Sequence, residues 1–109
     1  MFKYFKDSEI IGLDLGLVKM LDKAREYAGI PFMITSGFRT LEHNAEVRGV
    51  PNSAHTKGLA VDLRVRNSNE RFKILKALFY CGFTRIGDEI DHIHVDIDKE
   101  RDQNVIFLK

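Results

Sequence analysis

The chain has 109 residues, of which 44% are hydrophobic and 30% charged, and a net charge of +1. That length fits one compact domain, residues 1–109, and the composition excludes a disordered chain. Lys and Arg are spread along the sequence, so there is no basic footprint for nucleic acid. The single cysteine, Cys81, rules out an intramolecular disulfide and a thiolate-only zinc site. Within "ALFYCGF" it reads as a small buried hydrophobe. The segment "MFKYFKDSEI" has no long apolar stretch, so neither a secretory signal nor membrane insertion is expected, and the chain is expected to be made in the cytoplasm.

In chain order, Asp14 caps a predicted helix that runs to about Ala28, with Leu17, Leu21, Ala24 and Ala28 on one face. Gly29 closes it and Pro31 forbids continuation. "PFMIT" predicts a short buried strand. Thr40 then caps a brief helix that Gly49 ends, ahead of the turn-rich "GVPNS". "LAVDLRV" alternates, with Leu59, Val61, Leu63 and Val65 on one face and Ala60, Asp62 and Arg64 on the other. Asn67 and Glu70 form a capping-box pattern for a helix presenting Phe72, Leu75 and Phe79, which Gly82 ends. "FTRIG" reads as a short strand and "HIHVDI" as a clearer one. In the latter Ile93, Val95 and Ile97 share one face, and His92, His94 and Asp96 the other. Helices and strands mix without strict β-α-β alternation, which predicts an α+β fold with a small, mostly antiparallel sheet flanked by helices.

Asp62 and His94 both lie on the polar face of a strand whose other face is apolar, and His55 precedes the first of these strands by a short loop. If the two strands share a sheet, His55, Asp62 and His94 converge. Two imidazoles and a carboxylate suit one divalent metal ion and leave a coordination position open, the arrangement of catalytic zinc sites. Zinc lowers the pKa of bound water to about 7. Asp91, three residues before His94, is placed to act as a base, and Asp88 and Glu89 compete for that role. His92 shares the face of His94 and suits hydrogen bonding to a developing oxyanion. The plainer readings are a surface His43, an Asp62 paired to Arg64 or Lys57, and a solvated Asp96 and Asp98. An iron(II) triad normally sets its first histidine and acid two residues apart, and the seven-residue spacing of His55 and Asp62 disfavours it.

"SGFRTLEHN", "GVPNSAHTKGLAVDL" and "DHIH" together resemble the zinc D-alanyl-D-alanine carboxypeptidase and L-alanyl-D-glutamate endopeptidase family, of Hedgehog/DD-peptidase-like fold. The family includes peptidoglycan peptidases of phage endolysin and vancomycin-resistance type. Its pattern is met by Ser53, His55, Gly58, Ala60 and Asp62, then Asp91 and His94, and the similarity spans roughly residues 12 to 97. The resemblance implies one Zn2+ ion held by His55, Asp62 and His94, with Asp91 as general base. It further implies that Arg39 holds the substrate or polarises its carbonyl, as a planar, permanently charged guanidinium can. Ser53 is implied either to meet the substrate or to shape its loop. The expected partner is a peptidoglycan peptide, acted on by a monomer that reaches the cell wall by release or export. The short segment between Arg66 and Asp91 points to an open cleft. The competing reading is a non-catalytic zinc-containing module of the same fold, as in Hedgehog signalling domains.

Overall fold

The computed structural model describes residues 2–108. Its elements are α1 (Leu15–Ala28), β1 (Ile34–Ser36), α2 (Leu41–Glu46), β2 (Ala60–Arg64), α3 (Ser68–Tyr80), β3 (Arg85–Asp88), β4 (His92–Asp96) and β5 (Val105–Leu108). Short 3-10 turns occupy Asp7–Glu9 and Ala54–Lys57. The strands form one sheet in the order β1-β2-β4-β3-β5, antiparallel throughout except for the parallel β3–β5 pair. This is the α+β architecture expected. No described helix is long and apolar enough to cross a membrane.

The local signals explain the helices. Asp14 accepts from Leu17 N, and Gly29 ends α1 in the left-handed conformation. Thr40 accepts from His43 N to start α2. That helix stops at Glu46, short of Gly49, because Arg48 turns left-handed and Asn44 gathers the chain beyond it. Asn44 O accepts from Gly49 N, and its side-chain amide donates to Val50 O at 2.9 Å. Asn67 caps α3 through Glu70 N, while the Glu70 carboxylate accepts from Arg66 N rather than from Asn67.

Val61, Leu63, Ile86, Ile93 and Val95 point from the sheet into one core. Leu17, Val18, Leu21 and Ala24 of α1 meet them there, with Ile74, Ala77 and Leu78 of α3. The face of α3 differs from expectation: Phe72 is 64% exposed and Phe79 45%, while Ile74, Ala77 and Leu78 are buried. Both sets obey helical spacing, and the side that packs on α1 decides between them. Tyr80 next to that exposed face stacks on Tyr27 of α1, with ring centroids 4.1 Å apart. Cys81 is half-buried, and burial pushes its thiol pKa up.

Strand β1 begins at Ile34, later than the predicted "PFMIT", since only its end reaches the β2 ladder; Phe32 is buried without joining it. Strand β5 was not expected at all. Truncating Leu78 to alanine should lower the unfolding free energy by about 2–5 kcal/mol. Phe72→Ala should stay within about 0.5 kcal/mol. Urea unfolding of the two variants checks which face of α3 is structural; equal losses would refute the assignment.

Candidate active site

Register builds the centre of the site. Asp62 of β2 and His94 of β4 are direct cross-strand partners, flanked by Val61↔Val95 and Leu63↔Ile93, whose side chains turn to the opposite, helix-covered face. Helical layers and strand pairing therefore leave one carboxylate facing one imidazole.

His55 arrives from the 3-10 turn Ala54–Lys57. Ser53 caps this turn, its hydroxyl accepting from His55 N at 3.2 Å, and Gly58 ends it with φ +73°. Gly58 also packs directly on the Gly12 carbonyl, where any Cβ would collide, and its own carbonyl accepts from Asp14 N at 2.8 Å. The turn is thus tied to the start of α1. Ser53 is buried and borders the cleft, and its visible role is to shape this loop.

His55 Nε2 and His94 Nδ1 each lie 3.2 Å from the same oxygen, Oδ1 of Asp62. His55 and Asp62 are buried, and His94 is largely so. The remaining nitrogens are also occupied: His55 Nδ1 donates to Gly37 O at 2.8 Å, and His94 Nε2 lies 2.6 Å from Asp96 Oδ2. Burial alone would raise the Asp62 pKa, but the His55 and His94 imidazoles packed against its Oδ1 outweigh it and hold the carboxyl well below the usual carboxylate range. For His94, burial opposes the charged ring, and Asp62 and Asp96 together push its pKa up.

Arg39 approaches the other Asp62 oxygen, Oδ2, at 3.6 Å. Its guanidinium is held by Ser36 Oγ at 3.1 Å and Asn44 Oδ1 at 3.3 Å, and its backbone N–H donates to His55 O. Asn44, buried at the hub of this loop, was not singled out in the sequence. His92 Nε2 lies 2.7 Å from Glu89 Oε2 and 3.8 Å from Asp62 Oδ2, while its Nδ1 lies 2.7 Å from Asp91 Oδ1. Burial works against charge on His92, but Asp91, Asp62 and Glu89 together raise its pKa.

The three candidate acids separate cleanly. Asp88 pairs with Arg71 of α3. Glu89 lines the cleft with His92. Asp91 does not line the cleft; its side chain is 85% exposed and bonded to the outer nitrogen of His92, which lowers its pKa. The structure thus brings His55, Asp62, His94, His92 and Arg39 together, and leaves the Asp91 carboxylate one imidazole away from them.

Asp96 and Asp98, expected to be solvated, are buried, with 2% and 1% exposure. The Asp62/His94 face of the sheet is covered by loops rather than water, so its carboxylates need partners. Asp96 has Arg85 and His94. Asp98 has Lys57 at 2.9 Å and Arg101 at 3.3 Å, and its carboxylate also accepts from Glu100 N. Asp62 pairs with neither Arg64 nor Lys57. His43 is exposed, as expected.

The cleft above these residues measures about 260 Å3 and is walled by Arg48, Val47 and Val50 on one side and Glu89, Arg85 and Phe107 among the others. The Peptidase M15 family model matches residues 6–96, most of the chain. The chain belongs to the Peptidase M15 family. As a fold, this M15 peptidase is similar to the crystal structure of the Serratia marcescens L-Ala D-Glu endopeptidase ChiX, at 20% identity and TM-score 0.64 over 86% of each chain. No curated protein sequence matches it.

The donor set can be tested against a metal. Four ligands around zinc with bonds of about 2.0–2.1 Å stand about 3.3 Å apart along the edges of the tetrahedron. The two 3.2 Å spacings in the site are of that length. His55, Asp62 and His94 also satisfy the wider grouping expected of ligands to one ion. The residues fit zinc.

The support beneath the site is electrostatic and pH-dependent. Burial tends to raise the Asp98 pKa, but Lys57, the Glu100 N–H and Arg101 lower it overall. A carboxyl with a depressed folded pKa stabilises fully above its unfolded value, about 3.9, and loses that contribution as pH falls through the folded value. Asp98→Asn should therefore lower Tm at neutral pH, and the gap from the unsubstituted protein should narrow on acidification. A gap that stays constant with pH, measured by thermal melts, would exclude this pairing as its source.

Proposed function

We propose that this M15 peptidase is a zinc-dependent hydrolase of peptidoglycan stem peptides, with the L-Ala–D-Glu bond as the first candidate. The observation that carries the reading is the shared oxygen of Asp62, flanked at 3.2 Å by one nitrogen from each of His55 and His94. The family and the resemblance of the fold to ChiX support the substrate class.

His55 Nε2, Asp62 and His94 Nδ1 would hold the ion. When bound, zinc would polarise the scissile carbonyl and make water acidic enough to attack near neutral pH. The rest falls to side chains of this chain. Asp91 is assigned the proton of the attacking water and its return to the leaving amine. In the structure this carboxylate is bonded to His92 Nδ1 and does not line the cleft, so the role requires it to leave that contact and turn inward. His92 Nε2 and the Arg39 guanidinium both lie within 3.8 Å of Asp62 Oδ2 and would stabilise charge developing on the carbonyl oxygen. Arg39, braced by Ser36 and Asn44, is held ready rather than recruited. The 260 Å3 cleft suits a peptide of a few residues.

Zinc-loaded protein should cleave purified muropeptides, with the products identified by mass spectrometry and the activity lost on chelation. Release of the stem after its first alanine identifies the L-Ala–D-Glu bond, and loss of a terminal alanine identifies carboxypeptidase action. Metal-bound, folded protein that cleaves no stem would instead support a non-catalytic module.

Substitutions separate the roles. His94→Ala should lose zinc and activity together. Asp91→Asn should lower kcat by about 100-fold or more with zinc retained, as expected for loss of a general base. The same loss in Glu89→Gln, with Asp91→Asn unaffected, would move proton transfer to Glu89.

A further inference from the structure

We infer that Asp96, anchored by Arg85, is a positioning residue that fixes His94 with Nδ1 toward Asp62. The inference builds on the zinc-peptidase reading, since it assigns which nitrogen the site offers.

The contacts run in one direction. His94 Nε2 lies 2.6 Å from Asp96 Oδ2, and the same oxygen accepts from Arg85 Nε at 3.1 Å. The second Asp96 oxygen accepts from Asp98 N, so the carboxylate has no freedom to rotate. Its side chain is 1% exposed, and that of Arg85 13%. Arg85 is fixed further by donation to Asp102 O at 3.0 Å, and its guanidinium lies 4.8 Å from the centre of the Phe107 ring. Phe107 in turn packs beside His94, with ring centroids 5.6 Å apart.

Gly87, the β3 partner of His94, makes this packing possible, because a Cβ there would run into the Phe107 ring. His55 closes another side, edge-on at 5.2 Å. The His94 ring is therefore boxed by Phe107 and His55 and lies between two carboxylates, the nearer being Asp96 at 2.6 Å against 3.2 Å for Asp62.

The two histidines of the site are oriented differently. His55 donates through Nδ1 to the Gly37 carbonyl and presents Nε2, whereas His94 donates through Nε2 to Asp96 and presents Nδ1. A carboxylate behind an imidazole fixes the tautomer and makes the opposite nitrogen a better donor to a metal. Removing Asp96 frees the ring to carry its proton on Nδ1, the nitrogen the site needs bare. Arg85 matters because a buried carboxylate without a cation is costly and moves or takes a proton. Strand β5, which carries Phe107, thereby becomes part of the site's support.

The test uses the full chain with Asp96→Ala, Asp96→Asn and Arg85→Leu, and with the core variant Leu78→Ala as a structural control. Zinc affinity is read by competition with a fluorescent chelator. The protonation of each His94 ring nitrogen is read by 15N NMR in metal-free protein at alkaline pH, where the imidazole is neutral. Wild type should carry its proton on Nε2. Asp96→Ala should show mixed tautomers and bind zinc about 10–100-fold more weakly. Asp96→Asn, which keeps an acceptor, should recover part of that loss, and Arg85→Leu should lose less than Asp96→Ala.

Leu78→Ala should change Tm but not zinc affinity. Unchanged zinc affinity and an unchanged tautomer in folded Asp96→Ala would overturn the inference, as would an Nδ1 proton in wild type. If wild type binds no zinc but its tautomer still depends on Asp96, positioning stands and the metal reading falls.

Discussion

The site depends on the pairing register of β2 with β4. Asp62 faces His94, and the residues before and after them, Val61 with Val95 and Leu63 with Ile93, turn toward α1 and α3. A slip of one residue would send every apolar side chain of one strand to the loop-covered face and place its polar groups in the core. The hydrophobic core is therefore what holds carboxylate against imidazole. Burial of seventeen apolar side chains in one cluster enforces the alignment more strongly than any hydrogen bond within the site.

The other face of the sheet pays for its function in desolvation. Asp62, Asp96 and Asp98 are all buried, and each is met by cations or by hydrogen-bond donors. Such pairs are weak sources of net stability, since removing charges from water offsets most of their attraction. Their effect is orientation. Arg39 braces one oxygen of Asp62, Arg85 fixes Asp96, and Lys57 ties the turn carrying His55 to the loop after β4. Among the described residues no buried side-chain polar atom lacks a partner, which is the condition under which a charged layer of this kind remains ordered.

Much of this was legible from residues alone, because it rests on short-range rules. Caps at Asp14, Thr40 and Asn67 mark the helix starts, and period-two alternation puts Asp62 on one polar face and His94 on another. What failed required knowing the neighbours. Two stripes on α3 satisfy helical spacing, and only α1 selects Ile74, Ala77 and Leu78 over Phe72 and Phe79. The alternation that joined His94 to its face also included Asp96, yet a polar face reads as solvated until the loop covering it is known. Glu89 and Asp91 are two residues apart around a turn, and no periodicity tells which turns inward. Strand β5 is four residues long and pairs with β3 residues twenty positions earlier in the sequence, so its short apolar run carries little signal of its own.

The loops that bring Arg39 and His55 to the sheet are held to one another before they are held to the strands. Arg39 N donates to His55 O, Gly37 O accepts from the His55 ring, and the Arg39 side chain is braced by Asn44. The segments "SGFRT" and "SAHTK" are thus one unit, in which each fixes the backbone of the other, and Gly58 presses that unit onto the start of α1. Loops are ordinarily the most mobile part of a domain. Here a loop supplies one nitrogen to a cluster whose other members come from the sheet, and the cluster tolerates little displacement. Cross-bracing between the two loops, through Arg39 N to His55 O and the His55 ring to Gly37 O, is what holds His55 against the strands that carry Asp62 and His94.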